Sequence, residues 1–223
     1  GLYIASLKPE VWIDPSQLDT MFQDVSETVP VTSPGDPVRV IKDKSGNGND
    51  LTAPSDAARP TYQSGSNMYW LEDDGVDDVL QTSGTIAFST DIFEAIAFRT
   101  ITFSRVAPQI ISNRGTGGSD TDQRQPLIFT AQAAPQEVRL SFGGSSLTVD
   151  TGSTIVGTDI ILTASNNSSS RDANANGVTD TGSGVVLTSG GTGAYVRGGP
   201  NEANIRDYGG IHLNRVPTST EEN

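Results

Sequence analysis

Glu137-Val138-Arg139-Leu140-Ser141-Phe142-Gly143-Gly144-Ser145-Ser146-Leu147-Thr148-Val149-Asp150 carries a two-residue alternation interrupted by paired glycines. Val138, Leu140 and Phe142 project to one side, and Glu137, Arg139 and Ser141 to the other. Beyond Gly143-Gly144, Leu147 and Val149 alternate with Ser146, Thr148 and Asp150. Successive side chains of an extended strand point to opposite faces, so each run reads as a strand with one buried side. The glycine pair supplies the backbone freedom for a tight reversal. The stretch predicts a β-hairpin laid on a core.

Similar grammar recurs in both directions along the chain. Short β-branched or aromatic runs fall at Val11–Asp14, Val38–Lys42, Met68–Glu72, Val79–Gln81, Thr85–Phe88, Ala95–Ser104, Gln109–Ser112, Leu127–Ala131, Ile155–Ala164, Val185–Thr188, Tyr195–Arg197 and Gly210–Leu213. The 24 glycines and 12 prolines punctuate them. No segment keeps a 3.6-residue period over three turns. The one good helix start is the capping-box pattern Thr218-Ser219-Thr220-Glu221. The expected fold is all-β, a two-sheet antiparallel jelly-roll sandwich with at most a short C-terminal helix. Residues 1–10 read as a lead-in or linker and 11–223 as a single domain. Asp24–Asp36, Ser112–Gln125 and Ser165–Gly184, rich in Ser, Thr, Asn, Asp or Gly, read as the least structured stretches.

Twenty-seven acidic against fourteen basic side chains leave a net charge of −13, which repels nucleic acid and anionic membrane surfaces. No apolar run is long enough for a membrane span, so membrane insertion is not expected. The chain has no cysteine, which excludes disulfides, thiolate metal sites and cysteine nucleophiles. Stability then rests on the core and on an expected homo-oligomer.

Three segments gather polar donors. Asp43-Lys44-Ser45-Gly46-Asn47-Gly48-Asn49-Asp50 lacks a phosphate-loop spacing and reads as a tight turn. Asp172, Asn174, Asn176 and Asp180 reproduce the first half of a calcium loop with Gly177 at its sixth position. Ser183 stands where the bidentate Glu belongs, and Asn176-Gly177 is also a strong two-residue hairpin signal, so hairpin and calcium readings both stand. The run Glu72-Asp73-Asp74-Gly75-Val76-Asp77-Asp78 packs five carboxylates into seven residues. It offers Asp74, Asp77 and Asp78 as calcium donors beside the plainer reading of an Asp- and Gly-rich turn.

Catalytic signatures are sparse. The one histidine, His212, lies between Ile211 and Leu213 and reads as an ordinary strand residue. No strand carries the alternating carboxylates that glycoside hydrolysis on such a scaffold uses. Trp12 and Trp70 sit inside strand-like runs and read as core. Tyr195 and Tyr208, beside Gly-rich loops, are the sugar-facing aromatic candidates, with Asn113, Asp120 and Asp122 as hydrogen-bonding partners.

Trp12-Ile13-Asp14-Pro15-Ser16-Gln17-Leu18-Asp19-Thr20-Met21-Phe22-Gln23-Asp24, followed by Pro30-Val31-Thr32, Gly35-Asp36-Pro37-Val38 and Asp43-Lys44-Ser45-Gly46-Asn47-Gly48-Asn49, resembles a module of phage and prophage structural proteins. Arg59-Pro60-Thr61-Tyr62 and Asp74-Gly75-Val76-Asp77-Asp78 match its next signatures in order and spacing. Tyr208-Gly209-Gly210-Ile211 and Asn214-Arg215-Val216-Pro217-Thr218 with Glu221-Glu222 are similar to its C-terminal ones, with Pro217 in place of the usual Leu. That module resembles the concanavalin A-like, laminin-G-like superfamily.

The resemblance implies a concanavalin A-like lectin/glucanase type of sandwich, often with calcium at its rim. It also implies a non-enzymatic tail fibre, head fibre or capsid decoration protein on the virion surface, with other virion subunits and host surface polysaccharide as partners. Purely structural decoration without glycan binding is the alternative, and a polysaccharide depolymerase is a third reading. An extracellular or bacterial cell-surface location is the alternative to the virion.

Overall fold

In the computed structural model of the protein, the described residues are 2–103, 109–115, 127–131, 134–142, 145–152, 154–184, 192–198, 203–218 and 221. Their elements are α1 (Leu2–Ser6), β1 (Val11–Ile13), a 3-10 turn (Leu18–Thr20), β2 (Met21–Phe22), β3 (Val40–Ile41), β4 (Leu51–Thr52), β5 (Thr61–Gly65), β6 (Met68–Glu72), β7 (Val79–Thr82), β8 (Ile86–Ala87) and β9 (Ile92–Phe103). There follow β10 (Gln109–Gly115), β11 (Leu127–Ala131), β12 (Ala134–Phe142), β13 (Ser145–Asp150), β14 (Asp159–Asn166), β15 (Ser170–Ala175), β16 (Val178–Ser183), β17 (Thr192–Gly198) and β18 (Ala203–Leu213). None of the helices among the described residues is long and apolar enough to cross a membrane.

The fold class is the expected one: nearly all-β, in two antiparallel sheets. The first sheet runs β16-β15-β14-β9-β18-β6-β5, with β1 also paired to β18. The second runs β13-β12-β11-β10-β17-β7-β4-β3-β2, with β8 beside β17. The deciding hairpin forms as read, Leu140 opposite Leu147 and Val138 opposite Val149, with all four buried. Phe98, Ile160 and Leu162 of the first sheet join Val138, Leu140 and Tyr195 of the second in one apolar core.

The stretch Ser165–Gly184, expected as loop, is instead largely the β15–β16 hairpin. Only Ala173 and Ala175 of β15 face the core, so the strand carries too little apolar signal to read. Asn176 and Gly177, at φ +50° and +88°, make the tight turn that Asn-Gly favours. The short helix stands near the N-terminus, at α1. At the other end Thr218 N–H donates to Glu221 Oε2 at 2.9 Å and Glu221 N–H to Thr218 O at 2.8 Å, so the expected capping-box contact closes a turn there.

A bulge in β18 positions the functional face. Asp207 pairs with Phe98 and Gly209 with Ala97, leaving Tyr208 without an opposite residue. Before the bulge Ile205 and Asp207 face the core; after it His212 does, and Ile211 and Leu213 turn outward against Leu7 and Trp12. Gly209 makes this possible at φ +102°, where a Cβ would lie 2.4 Å from Ile13 O and 2.8 Å from Pro15 Cδ. Gly209→Ala is therefore expected to cost roughly 1–3 kcal/mol through left-handed strain alone, before the clash. Thermal unfolding against Gly84→Ala, which meets nothing within 4 Å, checks this; equal midpoints would refute it.

Each edge strand gives some of its outward backbone groups a partner. Asp180 spans one side of the sandwich: its Oδ1 accepts from Thr181 N–H of β16 at 2.9 Å and its Oδ2 from Thr148 N–H of β13 at 3.1 Å. On β5, Tyr62 exchanges backbone bonds with Gly35 and Asp36, and on β2, Met21 O accepts from Val31.

Candidate functional site

The outer face of the first sheet carries an open groove of about 890 Å³. Strand alternation builds its floor. Ala95 and Ala97 of β9, and Ile161, Thr163 and Ser165 of β14, point away from the core because their neighbours Ile96, Phe98, Ile160, Leu162 and Ala164 fill it. Asp172 and Asn174 of β15 and Tyr208 of β18 extend the floor on either side. The small side chains Ala95 and Ala97, with Gly209 and Gly210 beside them, make the depression. Ile161 stands 65% exposed in the middle of the sheet, an unusual position for a large aliphatic side chain.

Both ends of the described chain build one wall: Tyr3, Ile4 and Leu7 from α1 and its exit, and Val216, Pro217 and Glu221. Arg215 ties them together, donating to Leu7 O at 2.9 Å and to both Glu221 oxygens at 2.9 and 2.8 Å. Its guanidinium is the first cause holding the Glu221 carboxyl down at about 2. Beneath the wall Leu7, Trp12, Ile211 and Leu213 form a small apolar cluster, so residues 1–10, expected as a lead-in, include chain that packs on the sheet. Lys44 Nζ lies 4.3 Å over the Trp12 ring and 2.6 Å from Asp14. Burial works against the Asp14 charge, but the hydrogen bonds from Lys44 and Ser16 outweigh it and keep the carboxyl below its usual range.

Tyr208 lines the groove, half-buried, and donates to Asp159 Oδ1 at 2.7 Å. Arg99 grips the same Asp159, and this bond is the main cause of its lowered pKa. Trp70 sits at 8% exposure between Tyr208, ring centroids 6.2 Å apart, and Arg206, so it is core as expected.

Tyr195 is a correction. It is fully buried between the sheets, because β17 turns Tyr195 and Arg197 inward, and it cannot meet a sugar. It belongs instead to a buried polar chain that links the sheets. Tyr195 Oη donates to Glu94 Oε1 at 2.6 Å, and Arg197 donates to Tyr195 Oη at 3.3 Å and grips Asp207 with two nitrogens. His212 is also more than an ordinary strand residue: its Nδ1 lies 2.8 Å from Glu94 Oε2 and its Nε2 3.3 Å from Asn214 Oδ1. Burial opposes the Arg197 charge, and Asp207 more than offsets it, raising the pKa; burial raises that of Tyr195. Asn113 lies in β10 opposite Tyr195, its side chain outside the described residues; Asp120 and Asp122 lie outside them altogether.

The two calcium readings separate. In the β15–β16 hairpin the four donors diverge: Asp172 and Asn174 face the groove, Asp180 clasps the opposite edge, and both Asn176 side-chain atoms bond to β14 backbone, at Ile161 N–H and Asp159 O. Alternation puts Asp172 and Asn174 on one face and Asp180, opposite Ala173, on the other, while Asn176 is held by β14 backbone, so the four donors do not converge in this hairpin. The other set does converge, with one carboxylate oxygen each from Asp74, Asp77 and Asp78 within 4.8 Å of one another. Burial pushes Asp78 up to about 6, and burial with the nearby Asp207 and Asp78 charges raises Asp73 well above the usual range. Asn204 packs against Gly75 of this loop, and its Oδ1 is buried with no hydrogen-bond partner. The Asp43 loop is the turn expected: its carboxylate accepts from the Trp12, Ser45 and Asn49 N–H groups.

No family model and no curated protein matches the chain. Similar solved structures exist. The sialidase of Trypanosoma rangeli in complex with 2,3-difluorosialic acid, a covalent intermediate, aligns with a TM-score of 0.63 at 11% identity, over 96% of this chain and 32% of that one. A second structure of that sialidase aligns with 0.60 at 12%, over 92% and 35%. The exoplasmic/lumenal domain of VIP36, in its Ca2+/Man3GlcNAc-bound form, aligns with 0.45 at 12%, over 69% and 82%. The sialidase likeness shows a shared fold alone, and this chain spans about a third of the sialidase's length.

The groove floor is what the sequence reading missed. Its one visible signal was Phe93-Ala95-Ala97, a run of apolar and small residues on the outward phase of the strand whose other phase fills the core.

Proposed function

We propose that the chain binds glycans, without chemistry, in the groove on the outer face of its first sheet. The groove itself carries the reading: about 890 Å³ is in the range of small-ligand sites, an apolar floor at Ala95, Ala97 and Ile161 suits the faces of sugar rings, and Thr163, Ser165, Asn174 and Tyr208 supply hydrogen-bonding groups at its margins. Of its three carboxylates, Asp14 is paired with Lys44 and Glu221 with Arg215. One free acid favours binding over two-carboxylate hydrolysis.

Filling the floor tests this. Ala97→Trp, on the outward phase, is expected to abolish binding of the purified protein to glycan arrays and host cells while leaving the thermal midpoint within a few degrees. Array signals equal to wild type would remove the groove from the reading.

The biological setting we propose is the surface of a phage virion, as a fibre or decoration component contacting other virion subunits and host polysaccharide. The resemblance of the motifs between residues 12 and 78 to a phage structural module is what motivates it. The proposal extends to calcium at Asp74, Asp77 and Asp78, supported by their convergence and by the orphaned Asn204 Oδ1 beside them. Bound there, calcium supplies positive charge to a crowded acidic loop.

A further inference from the structure

We infer that the groove selects by charge, taking neutral and amine-bearing saccharides and excluding acidic ones; this rests on the glycan reading. Among the described residues that line the groove, none is Lys, Arg or His, whereas Asp14, Asp172 and Glu221 all do. Four cations near its margin are paired, Lys44 with Asp14, Arg99 with Asp159, Arg206 with Glu72 and Arg215 with Glu221, and Arg171 beside Asp172 turns to Ser183 O. A sugar carboxylate or sulfate entering this face would lose hydration and meet no cation among the described lining residues, on a protein of net charge −13.

Asp172 gives the selection its direction. It sits on the exposed face of β15 between Ser165 and Thr181, and its carboxylate makes no hydrogen bond or ion pair among the described residues. The floor beside it is flat and uncharged, with Ile161 and Thr163 on the next strand. An ammonium group on a sugar lying across that floor would reach the one free acid of the groove. Exposed ion pairs of this kind are weak, so the expected preference is about threefold to fivefold, not orders of magnitude.

Calorimetric titration of the full chain with three hexasaccharides of matched length reads this out: fully deacetylated chitosan, its N-acetylated counterpart, and a hyaluronan hexamer, at pH 6 and low salt. Expected is tightest binding to the amine-bearing chain, weaker binding to the neutral one and none to the acidic one. Asp172→Asn is expected to bring the first two together, and Asp172→Lys to reverse their order, with folding followed by circular dichroism. Equal or tighter binding of hyaluronan, lost in Ala97→Trp, overturns the charge selection and leaves the glycan reading standing. An amine preference that survives in Asp172→Asn overturns the role given to Asp172. Binding of none of the three counts against the glycan reading itself, and the selection falls with it.

Discussion

Replacing Arg197 with Met is expected to lower stability by about 3–5 kcal/mol, or roughly 6–20 °C in thermal midpoint for a chain of this size. Arg197 is 3% exposed and holds Asp207 with two nitrogens while also meeting Tyr195 Oη. Its removal leaves the buried Asp207 carboxylate without a counter-charge, with Gly209 N–H as its remaining donor among the described residues. Water has no ready access there, so no hydration replaces the lost partner. The loss is of one partner, and that asymmetry supplies a control. Arg197→Met with Asp207→Leu takes away both charges, and an apolar pair of similar volume is often as stable as the ion pair it replaces. The double variant should recover most of the lost stability. A single variant that melts within a few degrees of wild type would show that the buried pair has little hold on the fold.

Acidification is expected to raise the thermal midpoint by a few degrees between pH 8 and pH 5 when a chelator is present. Burial pushes Asp78 to about 6 and raises Asp73 well above the ordinary value of 3.8. Between those values the folded chain takes up protons that the unfolded chain leaves in solution, so stability falls as pH rises. This contribution is complete below about 3.8 and is lost as pH climbs through the folded value of about 6. Carboxyls held low, such as Asp159 by Arg99 and Glu221 by Arg215, act in the opposite direction, mainly below about pH 5. Calcium competes with the proton for the same relief. Millimolar calcium should raise the midpoint at pH 8, flatten its dependence on pH, and do neither in Asp77→Ala. A midpoint that falls steadily from pH 8 to pH 5 in chelator would refute the proton uptake. A wild-type midpoint indifferent to calcium at pH 8 would refute the cation.

How much of this was legible beforehand depends on how far each fact is local. The hairpin from Glu137 to Asp150 was readable because polar and apolar residues alternate without error. The β15–β16 hairpin was not, since both strands are built from Ser, Thr, Asn, Asp, Ala and Gly, the same composition as a loop. Tyr195 shows a different limit: its strand was recognised, but the face it takes is set by β17 pairing with β7 and β10, many residues away. The bulge at Tyr208-Gly209 reverses the phase of β18, and that reversal is what sends His212 inward and Ile211 outward. The acidic loop was found because its donors are contiguous and a turn brings them together. The groove was missed because its floor comes from four strands, each contributing residues that look unremarkable alone.

The partly partnered edges bear on how many copies can be crowded together. An open edge strand is a template, and at high local concentration it invites a neighbour's strand and then a fibre. Here Asp180 places a carboxylate between two edge strands and takes up one N–H of each, and the segments at Gly35–Asp36 and Val31 bond to the other two. An inward carboxylate and short covering segments are devices that blunt an edge and lower its tendency to recruit a neighbouring strand.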